Sequence, residues 1–124
     1  MTMRIDVEGL LVRYLRSKSF NASGDAGFAY SPHAPARFLT VERTGGTMDA
    51  DGVADNAAIV IQAWAQSRGE AMHLAIAADS VMLGFEQVDG IYRVNSGEMV
   101  NFPPLDGTRR GRYQLSYTIT TYDG

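Results

Sequence analysis

Hydrophobic residues recur at helical spacing in the first part of the chain. Between Asp6 and Lys18 they return every three or four positions, which predicts an amphipathic helix. Its apolar stripe consists of Val7, Leu10, Leu11, Tyr14 and Leu15. Asp6 is a candidate N-cap, and Arg16 and Lys18 bring positive charge to the C-terminal end, where the helix dipole favours it. Glycine and proline interrupt residues 20–36, which predict at most a short strand near Phe28–Tyr30.

Two strand patterns follow this irregular stretch. Arg37–Arg43 alternates, with Leu39 and Val41 on one face, and the TGGT run Thr44–Thr47 is expected to end the strand. Ala57–Ala65 (AAIVIQAWA) is nearly continuous in apolar residues. Such a run predicts a strand that is buried on both faces in the interior of a sheet.

The clearest local signal is the capping box formed by Ser67 and Glu70. The Ser67 hydroxyl can accept a hydrogen bond from the Glu70 amide, and the Glu70 carboxylate can reach back. A second helix is therefore predicted from this point to near Gly84. Its apolar stripe consists of Ala71, Leu74, Ala75, Ala78 and Met82.

The last third of the chain predicts two more strands. Gly90–Ser96 is expected to place Ile91 and Arg93 on one face, and Tyr113–Tyr122 alternates without a fault. The inward positions of the last strand are Tyr113, Leu115, Tyr117 and Ile119. Between the two lies Gly97–Gly111, a connection long enough to be either a functional loop or a solvated hairpin tip.

These elements predict one α+β domain that spans residues 1–124. Half-buried alternating strands are typical of antiparallel sheets, so we expect a mostly antiparallel β-sheet of about four strands with two helices packed on one face. A chain of 124 residues can bury a core without staples, and it contains no cysteine to form them.

Composition narrows the function classes. The net charge of −3 comes from 14 acids against 11 basic residues, of which only Lys18 is a lysine. This balance argues against tight, sequence-independent binding of nucleic acid. No apolar run approaches the roughly 20 residues of a membrane span, and charged residues interrupt the N-terminus where a signal peptide would be apolar. An intracellular protein without membrane contact is expected.

Candidate catalytic and metal-binding residues are sparse. His33 and His73 lie in different segments and lack the spacing of a zinc helix. Asp49, Asp51 and Asp55 follow the start of a calcium loop, but the glycine and the glutamate that such a loop requires are missing. No phosphate-binding or nucleophile motif is present. The sequence thus predicts no catalytic residue, no metal and no cofactor.

The remaining candidates are interaction residues. Arg109, Arg110 and Arg112 with Tyr113 form the basic and aromatic cluster of the chain, and three arginines are too few to outweigh its acidic total. Trp64 is the single tryptophan, and its place on a central strand suits core packing or an interface anchor.

Several segments in succession resemble the tail terminator, or tail completion, proteins of long-tailed bacteriophages of the actinobacterial type. They are the helix with LLVRYL, the strand RFLTVERTGG, the run IVIQAWAQSRGEA and the late segment NFPPLDGTRRGRYQLSYTI. The resemblance extends from Asp6 to Tyr122 and is weakest over residues 20–36.

The resemblance implies a structural virion protein without catalytic activity. Its members form a ring, typically a hexamer, that caps the tail tube, ends tube polymerisation and joins tail to head. The partners would be further copies of the chain, the tail tube protein and head–tail connector proteins, and DNA would pass through the ring without specific binding. The protein would be assembled in the host cytoplasm and reside in the virion.

The interface residues are predicted on charge alone, since no residue role carries over from the family. A ring needs contacts between unlike patches. Arg109, Arg110 and Arg112 are candidate partners for acids in the 49–55 loop of a neighbouring copy: Asp49, Asp51 and Asp55. Two alternatives remain open from the sequence: a head-side connector or neck protein, and a small α+β ligand-binding domain or enzyme with a polar pocket.

Overall fold

The computed structural model of the protein describes residues 5–25, 33–48, 54–104 and 110–122, and these contain two α-helices and five strands. Helix α1 (Val7–Ser17), strands β1 (Ala22–Ser23), β2 (Phe38–Met48) and β3 (Ala54–Ala65) come first. Helix α2 (Arg68–Met82), a 3₁₀ segment (Leu83–Gln87), β4 (Ile91–Asn101) and β5 (Gly111–Tyr122) follow. The strand predicted near Phe28–Tyr30 lies outside the described residues.

All described strands belong to one sheet in the order β1-β2-β3-β5-β4. The four long strands pair antiparallel, and the two-residue β1 pairs parallel with β2. Because β3 and β4 both run antiparallel to β5, they are parallel to each other, and α2 forms the crossover between them. Such crossovers are right-handed in nearly all proteins.

Both helices begin where the sequence predicts. Asp6 caps α1 by accepting from the Gly9 amide at 3.0 Å, and Ser67 Oγ caps α2 by accepting from the Glu70 amide at 3.2 Å. The α2 stripe predicted from the sequence is buried at every position: Ala71, Leu74, Ala75, Ala78 and Met82. Regular spacing of apolar residues is enough to identify the buried side of this helix.

The main core lies between the two helices and one face of the sheet. The strands contribute alternate residues to it, among them Leu39, Val41, Ala57, Ile59, Ile61, Leu115, Tyr117 and Ile119. The predicted fold class is thereby confirmed, with one addition: the sheet gains the short edge strand β1.

Strand β2 does not end at the glycine run, contrary to the prediction. It continues to Met48 with a register shift between Arg43 and Gly45. At Gly46, where φ is +127°, an added Cβ would overlap the carbonyl oxygen of Asn56. Here glycine permits a close approach to the neighbouring strand, so it extends the pairing.

The prediction that β3 is buried on both faces is wrong for its central part. Ile59 and Ile61 are buried in the main core, whereas Ala58, Val60 and Gln62 on the other face are half-buried. The apolar run extends across both faces because that second face carries small and medium apolar side chains where an alternating strand would carry polar ones.

Two corrections concern β4. A register shift between Ile91 and Arg93 brings Ile91 and Val94 to the buried face, so the predicted pairing of Ile91 with Arg93 is wrong. A bulge of this kind inserts one residue and reverses the alternation after it. The strand also continues to Asn101, which leaves only 102–110 of the predicted long connection.

Candidate interaction surface

The sheet face turned away from the helices, here called the open face, is polar and uncharged at its centre. Its central side chains come from β3 and β5 and are Asn56, Ala58, Val60, Gln62, Gln114, Ser116, Thr118 and Thr120. Two cross-strand bonds order it: Gln62 Nε2 donates to Gln114 Oε1 at 3.2 Å, and Thr120 Oγ1 donates to Asn56 Oδ1 at 2.8 Å.

One end of the open face is closed by a row of planar groups that crosses β2, β3 and β5 and ends at Phe102, directly after β4. The rings of Phe38 and Trp64 stack with centroids 5.9 Å apart and planes 5° apart. The Arg112 guanidinium lies 4.8 Å from the Trp64 centroid and 4.5 Å from that of Phe102. Trp64 Nε1 also donates to Thr40 Oγ1 at 3.1 Å. This row forms a second, smaller core, since Phe38 and Trp64 are almost fully buried.

The predicted basic cluster lies mainly within this row. Arg112 is 8% exposed and donates through Nε to the Phe102 carbonyl at 2.6 Å. Arg110 donates to the Pro35 carbonyl at 3.3 Å with its guanidinium 5.5 Å from the Phe38 ring. Tyr113 points to the opposite face and is buried in the main core. Arg109 lies outside the described residues, as do Asp49 and Asp51.

The described acid of the predicted set, Asp55, is paired within its own chain. Its carboxylate accepts from both terminal nitrogens of Arg43, at 2.8 and 2.9 Å. The Asp55 side chain is only 4% exposed, and the bond to it raises the pKa of Arg43 above its ordinary value. Asp55 and Arg112 thus present little surface to a neighbour, whereas pairing through Asp49, Asp51 and Arg109 stays a prediction.

The outer edge of β2 is covered over its first half. Asn21 accepts from the Leu39 amide through its carbonyl at 2.7 Å, and β1 pairs beside it. Next, Glu8 on α1 accepts from the Arg43 amide through Oε2 at 2.9 Å. In the described part of the chain, Thr44–Met48 has a strand partner on one side only. Gly45 in this stretch already accepts from Arg43 Nε at 3.0 Å, which uses one of its two lone pairs.

The outer edge of β4 is also covered over its first half. Because β4 runs opposite to β2, this covered half lies at the other end of the sheet. Glu86, on the 3₁₀ segment, accepts from the Val94 amide through Oε2 at 2.8 Å. Beyond this, Ser96–Asn101 pairs only with β5 among the described strands. Met99 is 44% exposed, and Phe102 directly after the strand is 43% exposed. Apolar side chains on an unpaired strand edge are typical of a surface that another strand covers.

A groove of about 150 Å³ follows the open part of β4 on the helix side. The exposed apolar side chains of Ile76 and Met99 line it, together with Asp79 and Tyr117. The Tyr117 hydroxyl donates to Asp79 Oδ1 at 2.5 Å. Burial, followed by this bond, raises the pKa of Tyr117 far above its ordinary value, so the hydroxyl stays protonated and keeps donating.

The sequence could not identify these edges because their features are not local. Glu8 reads as an acid that favours the start of a helix, and Glu86 as a solvated residue before a turn. Both act on strand amides that the sequence alone does not bring near them: Glu8 bonds an amide 35 residues away.

Within 5–25, 33–48, 54–104 and 110–122, no three histidine, aspartate or glutamate side chains are placed to hold a metal ion. Over the same ranges, no helix has the length and apolar character needed to cross a membrane.

Comparison with known proteins does not assign the chain to a family. No protein-family model matches the chain, and no curated protein matches it either.

Proposed function

We propose that the protein is a structural virion component that assembles into a ring, caps a bacteriophage tail tube, ends its polymerisation and joins tail to head. The observation that carries the ring is the pair of unlike open strand segments on opposite edges of the sheet, and the tail role rests on the resemblance of residues 6–122 to tail terminator proteins. Unlike surfaces generate heterologous contacts, which close into rings or continue as filaments.

The centre of the open face, formed by β3 and β5 and flanked by Glu42 on β2 and Arg93 on β4, supports passage of DNA without retention. This centre holds amides, hydroxyls and small apolar side chains with no arginine or lysine. Tight binding to a phosphate backbone requires a basic surface, and its strength falls with salt. Arg112, at the end of this face, is buried between two rings and offers no charge to a passing duplex.

Two measurements test the proposal. Native mass spectrometry and negative-stain microscopy of the purified protein are expected to give closed rings, either in free solution or on contact with tail tubes. Adding the protein to polymerising tube subunits should stop growth, so that tube length falls as protein concentration rises. A protein that stays monomeric and leaves tube length unchanged would contradict the proposal.

Co-sedimentation distinguishes the proposed tail-capping role from the nearest alternative, a head-side neck protein. A tail-capping protein should co-sediment with isolated tails, whereas a head-side neck protein should co-sediment with isolated heads. Mass spectrometry of both fractions from a lysate of infected cells distinguishes them.

A further inference from the structure

The directions of the edge strands determine how one copy can meet another. Starting at β2, three successive antiparallel pairings lead through β3 and β5 to β4. The two edges therefore run in opposite directions. When a second copy lies beside the first in the same orientation, the β2 of the second copy meets the β4 of the first. The two strands are then antiparallel, as are all neighbouring long strands within one copy.

We propose that copies of this chain join edge to edge, with the open part of β4 (Ser96–Asn101) pairing antiparallel with the open part of β2 (Thr44–Met48) in the next copy. The inference rests on the proposed ring, whose interface it specifies. Among the described edge positions, only these segments are open for pairing. β1 and Glu8 already bond the first half of the outer edge of β2, and Glu86 already bonds the first half of the outer edge of β4.

The two open segments lie at different levels of the sheet, which imposes a slide between copies. The register aligns Val41 with Met99 at one level, through Ile61 and Leu115. The open part of β2 is centred on Gly46, which pairs with Ala57, four positions from Ile61 on β3 because the β2 bulge adds one residue. Neighbouring copies must therefore be offset by about four residues, or about 14 Å at roughly 3.4 Å per residue.

This offset agrees with a closed ring. Four long strands about 4.8 Å apart make each copy about 19 Å wide along the sheet. An offset of about 14 Å over that width tilts the strands by about 36° from the ring axis, at the lower end of the 35–45° that closed barrels adopt. Without the offset the strands would have no such tilt.

The direction of the offset decides which face is inside. Seen from the helix side with β3 pointing up, a right-handed crossover puts β4 on the right, and its open part is then at the top. Each copy to the right consequently sits higher. When the row is rotated until all copies lie at the same height, the upper ends of the strands lean to the right. Right-twisted strands lean in this direction around a β-barrel that is viewed from outside. The helices therefore face outward and the open face lines the lumen.

The groove beside β4 receives a side chain in this pairing. Along the open part of β2, Gly46 and Met48 point to the helix side, opposite Ala57 and Asp55. The apolar Met48 side chain would lie against Ile76 and Met99 of the neighbouring copy that contributes β4. Main-chain pairing with an alternate side chain in a pocket is how added strands are recognised.

Crosslinking tests the pairing without background, because the chain has no cysteine. Gly45 and Val100 both lie on the open-face side, and a Cβ at Gly45 would meet nothing within 4 Å. The double variant Gly45→Cys/Val100→Cys, oxidised so that directly opposed cysteines form a disulfide, is expected to give a ladder of covalent multimers that ends at the ring size. The matched control Glu42→Cys/Val100→Cys places its cysteine about 7 Å further along the same face of β2, too far from residue 100 for a disulfide, and should give no ladder.

The outcomes separate the interface from the function. Rings by native mass spectrometry without a Gly45–Val100 ladder would overturn the edge pairing and leave the ring proposal intact. A covalent dimer from Val100→Cys alone would indicate a two-fold contact between β4 strands and would also overturn it. Absence of rings together with uncapped tubes would overturn the proposed function itself.

A proline variant gives an independent test. Because Phe102 donates to β5 through its amide, the Asn101 amide points to the outer edge. Asn101→Pro removes that donor and is tolerated at a strand edge. We expect the monomer to keep its melting temperature while ring formation falls at least tenfold, and unchanged assembly would contradict the edge pairing.

Discussion

The two faces of the sheet are made from alternate residues of the same strands, yet they differ in what covers them. Ile59 and Ile61 of β3 are buried beneath the helices, whereas Val60 and Gln62 between them are half-buried and have no helix above them. A strand with a period of two can thus stabilise the fold on one side and present a surface on the other.

The open face is not uniform, and its closed end shows what makes the difference. Phe38, Trp64 and Arg112 are buried there although they lie on the face without helices. Residues 34 and 35 contact this row, since Ala34 packs on the rings and Pro35 accepts from Arg110. A side chain on either face of the sheet therefore stabilises the monomer when another segment of the chain covers it, whichever face it lies on.

The largest effect is expected at this closed end. Trp64→Ala removes the ring between Phe38 and Arg112 and should lower the free energy of unfolding by about 3–5 kcal/mol. Trp64→Phe keeps a ring but loses the donor to Thr40, so a loss of about 1 kcal/mol is expected. Urea denaturation measures both, and a loss below 1 kcal/mol for the alanine variant would mean that the row is not a second core.

The comparison between the faces is tested most directly at two neighbouring residues of β3. Ile59→Ala creates a cavity in the main core and should cost about 2–5 kcal/mol. Val60→Ala removes two methyl groups from the open face and should cost less than about 1 kcal/mol. Equal losses in urea denaturation would show that the open face is packed in the monomer.

Tyr117 connects the core to the groove and gives a pH-dependent effect. Tyr117→Phe loses the bond to Asp79 and should cost about 1.5 kcal/mol at neutral pH. Because the folded pKa is raised, the unfolded chain releases the proton first, near pH 10. The contribution of Tyr117 is therefore fully present below that pH and is lost as pH rises above it. Stability of the variant should decline less between pH 9 and 11 than that of the wild type.

The smallest effect concerns a local signal that is independent of either face. Ser67→Ala removes the acceptor for the Glu70 amide and should cost about 1 kcal/mol. Ser67→Asp keeps an acceptor and serves as the matched control. A neutral result for alanine in thermal unfolding would mean that the cap does not stabilise α2.

The candidate site was only partly predictable. Arg112 and Asp55 were predicted to attract each other across copies, because a charge has the same appearance in a sequence whether it pairs inside or outside the chain. In the structure each is already held within its own chain, by Phe102 and by Arg43. The open edges carried no sequence signal at all, since an unpaired backbone amide is not encoded by a side chain.

The sequence by itself determined the elements that depend on neighbouring residues: both helix caps, the buried stripe of α2 and the alternation of β5. Their physics acts over one to four positions and is therefore visible in the order of residues. Only the tertiary structure decided the bulges of β2 and β4, the insertion of β5 between β3 and β4, and the covering of strand edges by Glu8 and Glu86. These depend on backbone groups that meet across long stretches of chain, where pairing is set by the sheet as a whole.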